Sequence, residues 1–333
     1  MKKKYWMISL IIIGFCVAGI YLMVTKTSVT AKIGGDTTDT KAEETVRIGF
    51  SQLDQPNPWR VAQLTSFVNA ASDRGYELVY HQPAERTEKW QINDIKALLE
   101  EHVSYLALAP INQNVLHQAV QMTKEKNVML ILLECDADDV RQEDYFTLVS
   151  TDYYKEGQLC AQILGRYFKG EKCRVLEVTG ESDSQVAGER AQGFYDEINK
   201  GGTMKIVYSI HGNFDRVTAQ KSMEEVIVNP KIEYDAIVAY SDEDGLGVLQ
   251  ALKVAGKNHG TVPIVSINGV QDVLKAIIAG EYYATVESNP NTGAIVMQVI
   301  ASEREGYLPA KRIFVPYNIY DGSNAVEEFN NAY

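Results

Sequence analysis

Histidine and cysteine are scarce in this chain, at five and four among 333 residues. Four cysteines are too few for a disulfide scaffold. Cys135, Cys160 and Cys173 fall in different elements, with neither a CxxC spacing nor a histidine partner, so they read as small buried side chains rather than as a zinc site or a catalytic thiol. His81, His102, His117, His211 and His259 show no metal-ligand spacing either. Basic charge is also short. With 32 Lys and Arg against 44 Asp and Glu the formal charge is −12, which excludes the concentrated basic face that nucleic acid or an anionic membrane surface requires. There is no GxxxxGK[ST] phosphate loop, no HExxH, no GxSxG, and no GxGxxG following a strand. Gly245-x-Gly247 lacks a third glycine and lies inside a helical pattern. No nucleophile or acid/base pair stands out, so the expectation is a protein that is not an enzyme and uses no cofactor and no metal.

What is present is organised around Val46–Arg60, VRIGFSQLDQPNPWR. Val46–Ser51 is short, apolar and β-prone; Asp54, Gln55, Pro56, Asn57 and Pro58 break it, and Trp59 opens an amphipathic run. In an open α/β sheet the loop leaving a strand's carboxyl end is where ligands bind, and a helix starting there points free N–H groups at the same place.

The N-terminus differs from the rest. Lys2, Lys3 and Lys4 precede Tyr5–Val24, which carries no charge and has the length of about 20 residues needed to span a bilayer. The lysines stay cytoplasmic and the remainder lies outside. An uncleaved anchor is expected. A cleaved signal peptide and a lipoprotein acylated at Cys16 are the alternatives, weakened by the lack of a small-x-small cleavage site and by Phe15 beside the cysteine. Thr25–Thr45 has no apolar periodicity and reads as a flexible stalk.

Strands and helices then alternate. Strands are expected over Val46–Ser51, Glu77–His81, Tyr105–Ala109, Val128–Leu133 and Phe146–Ser150, with helices over Trp59–Arg74, Glu88–Glu101 and Asn114–Lys126 between them. After a helix over Tyr154–Tyr167, capped by Asp152, the pattern begins again and ends in a late strand, Ile313–Tyr320. Repeated βαβ units make parallel sheets covered on both faces. The expected fold is therefore α/β: two similar doubly wound parallel-sheet lobes joined by a multi-strand hinge, preceded by one N-terminal transmembrane helix. The division is 1–24 transmembrane signal anchor, 25–45 flexible linker, 46–150 with 288–316 as lobe 1, and 151–287 with 317–333 as lobe 2 and hinge.

The loops after the strands share a chemical character. Asp54, Asn57, Trp59 and Arg60 follow the first strand, and Glu134, Cys135 and Asp136 follow Val128–Leu133. Later loops bring Glu181–Gln185 with Arg190, then Phe214, then Ser241–Asp244 and Asn268. Acceptors, guanidinium donors and aromatic faces together suit a polyhydroxylated ligand, because hydroxyls need paired donors and acceptors while a sugar's C–H face packs on a ring. Each residue has a plainer role open to it. Trp59 is also the first residue its helix could bury, Arg190 a candidate for a structural ion pair, and Asp242 a candidate N-cap for a helix starting at Glu243.

These segments resemble the type I periplasmic sugar-binding proteins, near their ribose-binding and galactofuranose-binding members. IGFSQ followed by PWR is similar to the opening of galactofuranose binders, and NPWR is similar to the NPFF of ribose binders. PINQN, LLE, TDYYKEGQL, GERAQGF, GNFDR, SINGV and ATVESNPNTGA follow in the expected order, so that the resemblance covers about Val46 to Ser323. It implies the two-lobed periplasmic binding protein fold of type I and ligand contacts from Asn57, Trp59, Arg60, Glu134, Arg190 and Phe214. Four positions depart from it. Cys135 stands where an arginine follows the acidic residue, Ser241 where an asparagine precedes Asp242, and Asn268 where aspartate is usual; Ala109 occupies a position that is polar in ribose binders but apolar in galactofuranose binders. Losing an arginine and an aspartate removes charge-assisted hydrogen bonds of about 1.5–3 kcal/mol each, so the identity of the sugar does not carry over.

The same domain occurs in repressors of the lactose-repressor type, whose N-terminal helix-turn-helix is replaced here by the apolar segment, excluding DNA binding. What the resemblance implies is extracytoplasmic capture of a sugar or related polyol between two lobes, at the cell membrane, with hinge closure presented to an ABC importer permease. The alternative is a sugar-sensing accessory protein that signals to a membrane histidine kinase or chemoreceptor.

Overall fold

In the first parallel sheet the central strands are apolar on both faces, because helices cover both. β1 (Arg47–Ser51), β2 (Glu77–Tyr80), β3 (Tyr105–Leu108), β4 (Met129–Leu133) and β5 (Thr147–Ser150) are linked through α1 (Pro58–Asp73), α2 (Glu88–Glu100) and α3 (Gln113–Lys126). Leu106, Leu108, Leu130 and Leu132 share one core with Leu98 of α2 and Leu116 of α3. Their strand neighbours Ala107, Ile131 and Leu133 turn the other way and join Ile48, Phe50 and Phe67. The Phe50 and Phe67 rings stack at 4.1 Å, fixing α1 against β1.

The second sheet repeats the plan with β6 (Cys173–Thr179), β7 (Met204–His211), β8 (Ala236–Ala239), β9 (Ile264–Asn268) and β10 (Ala284–Glu287). Its helices are α4 (Tyr153–Phe168), α5 (Gln185–Gly201), α6 (Arg216–Val228), α7 (Asp242–Val254) and α8 (Gln271–Ile278). α9 (Thr292–Arg304) returns to the first sheet, where Val296, Met297 and Ile300 complete its core. β11 (Arg312–Phe314), β12 (Ile319–Asp321) and a short α10 (Ala325–Glu328) end the chain.

This computed structural model describes residues 45–53, 58–135, 137–182, 184–257 and 260–333, and Thr45–Tyr333 groups as one unit. The anticipated anchor over 1–24 and the linker up to residue 44 lie outside the described residues. Among the described residues no helix is long and apolar enough to cross a membrane.

The sheet orders are β11-β5-β4-β3-β1-β2 and β12-β10-β9-β8-β6-β7. The chain passes between the sheets after β5, after β10 and between β11 and β12, always at the same side of each sheet. Here one expectation is corrected. The late strand over Ile313–Tyr320 is two strands: β11 lies parallel to β5, and β12 antiparallel to β10. Pro316 falls in the gap, where its missing N–H costs no ladder hydrogen bond.

Candidate functional site

A cavity of about 500 Å³ lies where the strands of both sheets end. Trp59 lines it from the start of α1, Arg86 and Glu134 from the loops after β2 and β4, and Glu181, Phe214 and Asn268 from the ends of β6, β7 and β9. Carboxyl strand ends are where open α/β sheets leave room for ligands, because the loops there are free of the covering helices.

On the first-sheet side, Glu134 adopts a left-handed backbone (φ 52°) that turns its side chain towards α1. Arg60 Nη1 donates to Glu134 Oε2 at 2.6 Å and to Gln63 Oε1 at 3.0 Å. Gln63, fully buried, donates from Nε2 to Glu134 Oε1 and to Thr292 Oγ1 at the start of α9. The Arg60 guanidinium lies 4.6 Å from the centre of the Trp59 ring, a cation–π contact that holds both groups at the cavity wall. Trp59 is half-buried, and its indole N–H donates to Ser288 O at 2.6 Å, so it is not simply the first buried residue of its helix.

On the other side Arg190 is 4% exposed. Its Nε donates to Glu156 Oε2 at 2.8 Å and its Nη1 to Tyr240 O at 2.7 Å. Its guanidinium carbon sits 5.5 Å from the centre of the Tyr153 ring. Burial pushes the Glu156 carboxyl up and the neighbouring guanidinium opposes it. The structural ion pair and the cavity position therefore coexist in Arg190.

Phe214 and Asn213 are successive non-glycine residues in the left-handed region, at φ 57° and 58°, a conformation that costs about 1 kcal/mol or more each. The Phe214 ring rests over Gly180, where a Cβ would collide with it. That placement brings the ring into the cavity wall.

Ser241 takes the capping role that the sequence offered to Asp242. Ser241 is the N-cap of α7: its Oγ accepts from Asp244 N at 3.0 Å and donates to Asp244 Oδ2 at 2.7 Å. Asp242, fully buried, accepts from Gly269 N and Val270 N at 2.7 Å, from Thr285 Oγ1 at 2.7 Å and from Ser266 Oγ. It therefore clamps the β9–α8 turn to β10 instead of capping its own helix. Its carboxyl is pushed up by burial, which those four donors oppose. Asn268 Oδ1 accepts from Asp242 N at 3.3 Å, leaving its amide nitrogen as the group it can offer to the cavity.

Of the residues singled out in the sequence, Trp59, Arg60, Glu134, Arg190, Phe214, Ser241, Asp242 and Asn268 meet at one cavity. Cys135 does not line it. Its half-buried side chain packs against the first-sheet core with Ile92 and Ile111, because the left-handed turn at Glu134 sends the two side chains different ways. Asn57 lies outside the described residues. Sequence reasoning missed Arg86 and Tyr153 at the wall and Gln63 behind it. Tyr153 stands inside the TDYYKEGQL segment already noted, whereas no local pattern points to Gln63.

The cavity's guanidiniums meet carboxylates: Arg60 with Glu134, Arg86 with Glu181, Arg190 with Glu156, and Arg216 with Glu243. Such a wall presents many directed donors and acceptors with little excess charge, which matches an uncharged polyhydroxylated molecule better than an anion. Among the described residues no group of His, Cys, Asp and Glu is placed to hold a metal ion.

Comparison with known proteins agrees with this geometry. The periplasmic binding protein domain family matches residues 48–306. The galactofuranose-binding protein YtfQ of Escherichia coli (strain K12) is 28% identical over 285 residues, covering 84% of this chain and 89% of that protein. The ribose import binding protein RbsB of Bacillus subtilis (strain 168) is 26% identical over 251 residues, covering 75% of this chain and 78% of that protein. The periplasmic binding protein component of the arabinose ABC transporter from Shewanella sp. ANA-3, bound to alpha and beta-L-arabinofuranose, superposes with a TM-score of 0.79 at 26% identity, covering 86% of this chain and 95% of that one. With two mainly parallel sheets opening on one cavity and a family match across most of its length, this chain belongs to the periplasmic binding protein domain family.

Proposed function

We propose that this protein captures a sugar or related polyol in the cavity between its lobes, closes on it by bending at the three crossings, and presents the closed form to the permease of an ABC importer. Its main support is one arrangement: the Trp59 ring and the Arg190 guanidinium, from opposite sides, line the same cavity of about 500 Å³. The galactofuranose, ribose and arabinofuranose binders among its relatives supply the ligand class. In this reading Trp59 and Phe214 pack on the C–H faces of the ring. Arg60, Glu134, Arg190, Asn268 and Asn57 hydrogen-bond its hydroxyls, while Ser241 and Asp242 hold the loops that carry those groups. Contacts from both lobes favour the closed state differentially, which is what a ligand needs to shift the equilibrium. The boundaries 46–150 with 288–316 and 151–287 with 317–333 belong to the same proposal.

The uncharged run Tyr5–Val24 adds a membrane-held, extracytoplasmic location and a second use of the closed form. A chain that stays anchored is suited to engaging a membrane histidine kinase or chemoreceptor. Mass spectrometry of the native protein tests this: retention of Met1–Val24 supports the anchor, and a start near Thr25 or a lipid on Cys16 contradicts it. Ligand capture is tested by thermal denaturation of Thr45–Tyr333 with D-ribose, D-galactose, L-arabinose and other sugars and polyols. A ligand at a hundred times its Kd adds about 2.7 kcal/mol, so one or more sugars should raise the midpoint by several degrees. A panel in which none does contradicts the proposal.

A further inference from the structure

One ion pair at the rim of the cavity joins the two lobes. Arg86 follows β2 and Glu181 follows β6, and Arg86 Nη1 and Nη2 each donate to one carboxylate oxygen of Glu181, at 3.2 Å in both cases. Both residues line the cavity while their side chains stay 38% and 42% exposed, which puts the pair at the solvent edge.

The sheet orders fix which edge. The crossings leave from β5, β10 and β11, at one side of the two sheets. β2 is the opposite edge strand of the first sheet, and β6 lies beside β7, the opposite edge strand of the second. The Trp59 indole, by contrast, donates to Ser288 O in the segment directly after β10, on the crossing side. A rotation about the crossing segments therefore opens the Arg86–Glu181 lip widest. The pair can exist only when the lobes are close together.

We propose that Arg86 and Glu181 are an electrostatic latch on the far lip of the cleft, formed in the closed state and slowing the escape of bound ligand. This rests on the reading that the lobes close around a sugar. The two-pronged geometry gives direction, since both guanidinium nitrogens must face the carboxylate at once. Solvent exposure keeps the pair weak, about two- to fivefold in the opening equilibrium. A weak latch suits a reversible clamp, because a strong one would hold the cleft shut without ligand.

The test is hydrogen exchange of the full chain in detergent micelles, read in the two segments that carry Arg86 and Glu181. At low salt, Arg86→Ala and Glu181→Ala should each raise exchange in both segments by about two- to fivefold, and the double variant should match either single one. The swapped pair, Arg86→Glu with Glu181→Arg, should return towards the wild type. At about 1 M salt, where screening is nearly complete, the wild type should match the variants. Both positions are exposed, so the variants keep the fold. The latch is overturned if either single variant leaves the partner's segment unchanged, or if the two effects add. Repeating the series with D-ribose, D-galactose and L-arabinose separates the two ideas: the salt and variant pattern without any protection by sugar supports the latch and removes the sugar reading.

Discussion

Arg190 and Glu156 meet inside a contact where two helices touch backbone to backbone. A Cβ on Gly157, next to Glu156, would collide with the carbonyl oxygen of Arg190, and one on Gly193 would collide with that of Tyr154. The two glycines let α4 and α5 approach closely enough for the buried pair to form at 2.8 Å. The helix contact thus sets where the guanidinium stands in the cavity wall.

Arg190→Ala should cost both stability and affinity. It leaves Glu156, 1% exposed, without its charge partner, a change worth about 3–5 kcal/mol. Sugar affinity should also fall by about tenfold or more, roughly 1.4 kcal/mol. Replacing both partners, as Arg190→Met with Glu156→Leu, should recover much of the stability and none of the affinity. Thermal denaturation and calorimetry on the same samples separate the two effects.

Gly157→Ala should act at a distance from the ligand. The added methyl must push α5 away from α4, at a cost of about 1–3 kcal/mol. Because the displaced residue is Arg190, weaker sugar binding should accompany the lower denaturation midpoint. A midpoint equal to the wild type would mean that the helices separate freely.

Trp59 contributes both a ring and a donor. Trp59→Phe should keep the ring and lose the N–H bond to Ser288 O, at a cost of about 0.5–1.5 kcal/mol. Trp59→Ala should remove the ring as well and weaken sugar binding by about tenfold or more. Equal affinities for the two variants would show that the ring makes no ligand contact.

His81 sits between two carboxylates, with Nδ1 2.7 Å from Asp94 Oδ1 and Nε2 3.0 Å from Glu101 Oε1. Partial burial disfavours the imidazolium, but the two hydrogen bonds outweigh it, so the pKa lies above the ordinary 6.5. A raised pKa means that the charged form stabilises the fold fully below about pH 6.5, and that this contribution is lost as pH rises through the folded value. The His81 resonances should titrate with a midpoint above 6.5. The difference in denaturation midpoint between wild type and His81→Gln should be largest in acid and shrink on the alkaline side. A titration midpoint at or below 6.5 contradicts this.

Much of the fold was legible in the sequence because burial on both sheet faces leaves uninterrupted apolar runs such as Tyr105–Leu108 and Met129–Leu133. The late strand was misread because Ile313–Tyr320 is apolar at both ends and only Pro316 marks the change of sheet. At the site, residues at strand ends, such as Glu134 directly after β4 and Asn268 closing β9, could be found by position alone. Asp242 could not be assigned, since a cap and a clamp need the same side chain in the same place. Its donors, Ser266, Gly269, Val270 and Thr285, come from other elements. Gln63 and Arg86 are invisible to local pattern for the same reason: their partners lie 71 and 95 residues away.

The most direct test is isothermal titration of Thr45–Tyr333 with the sugar that gives the largest thermal stabilisation, run beside Trp59→Ala and Arg190→Ala. Saturable binding at one site, weakened about tenfold or more in both variants, is the predicted result. Binding that both variants leave unchanged, or no binding across the panel, would contradict capture between the two lobes.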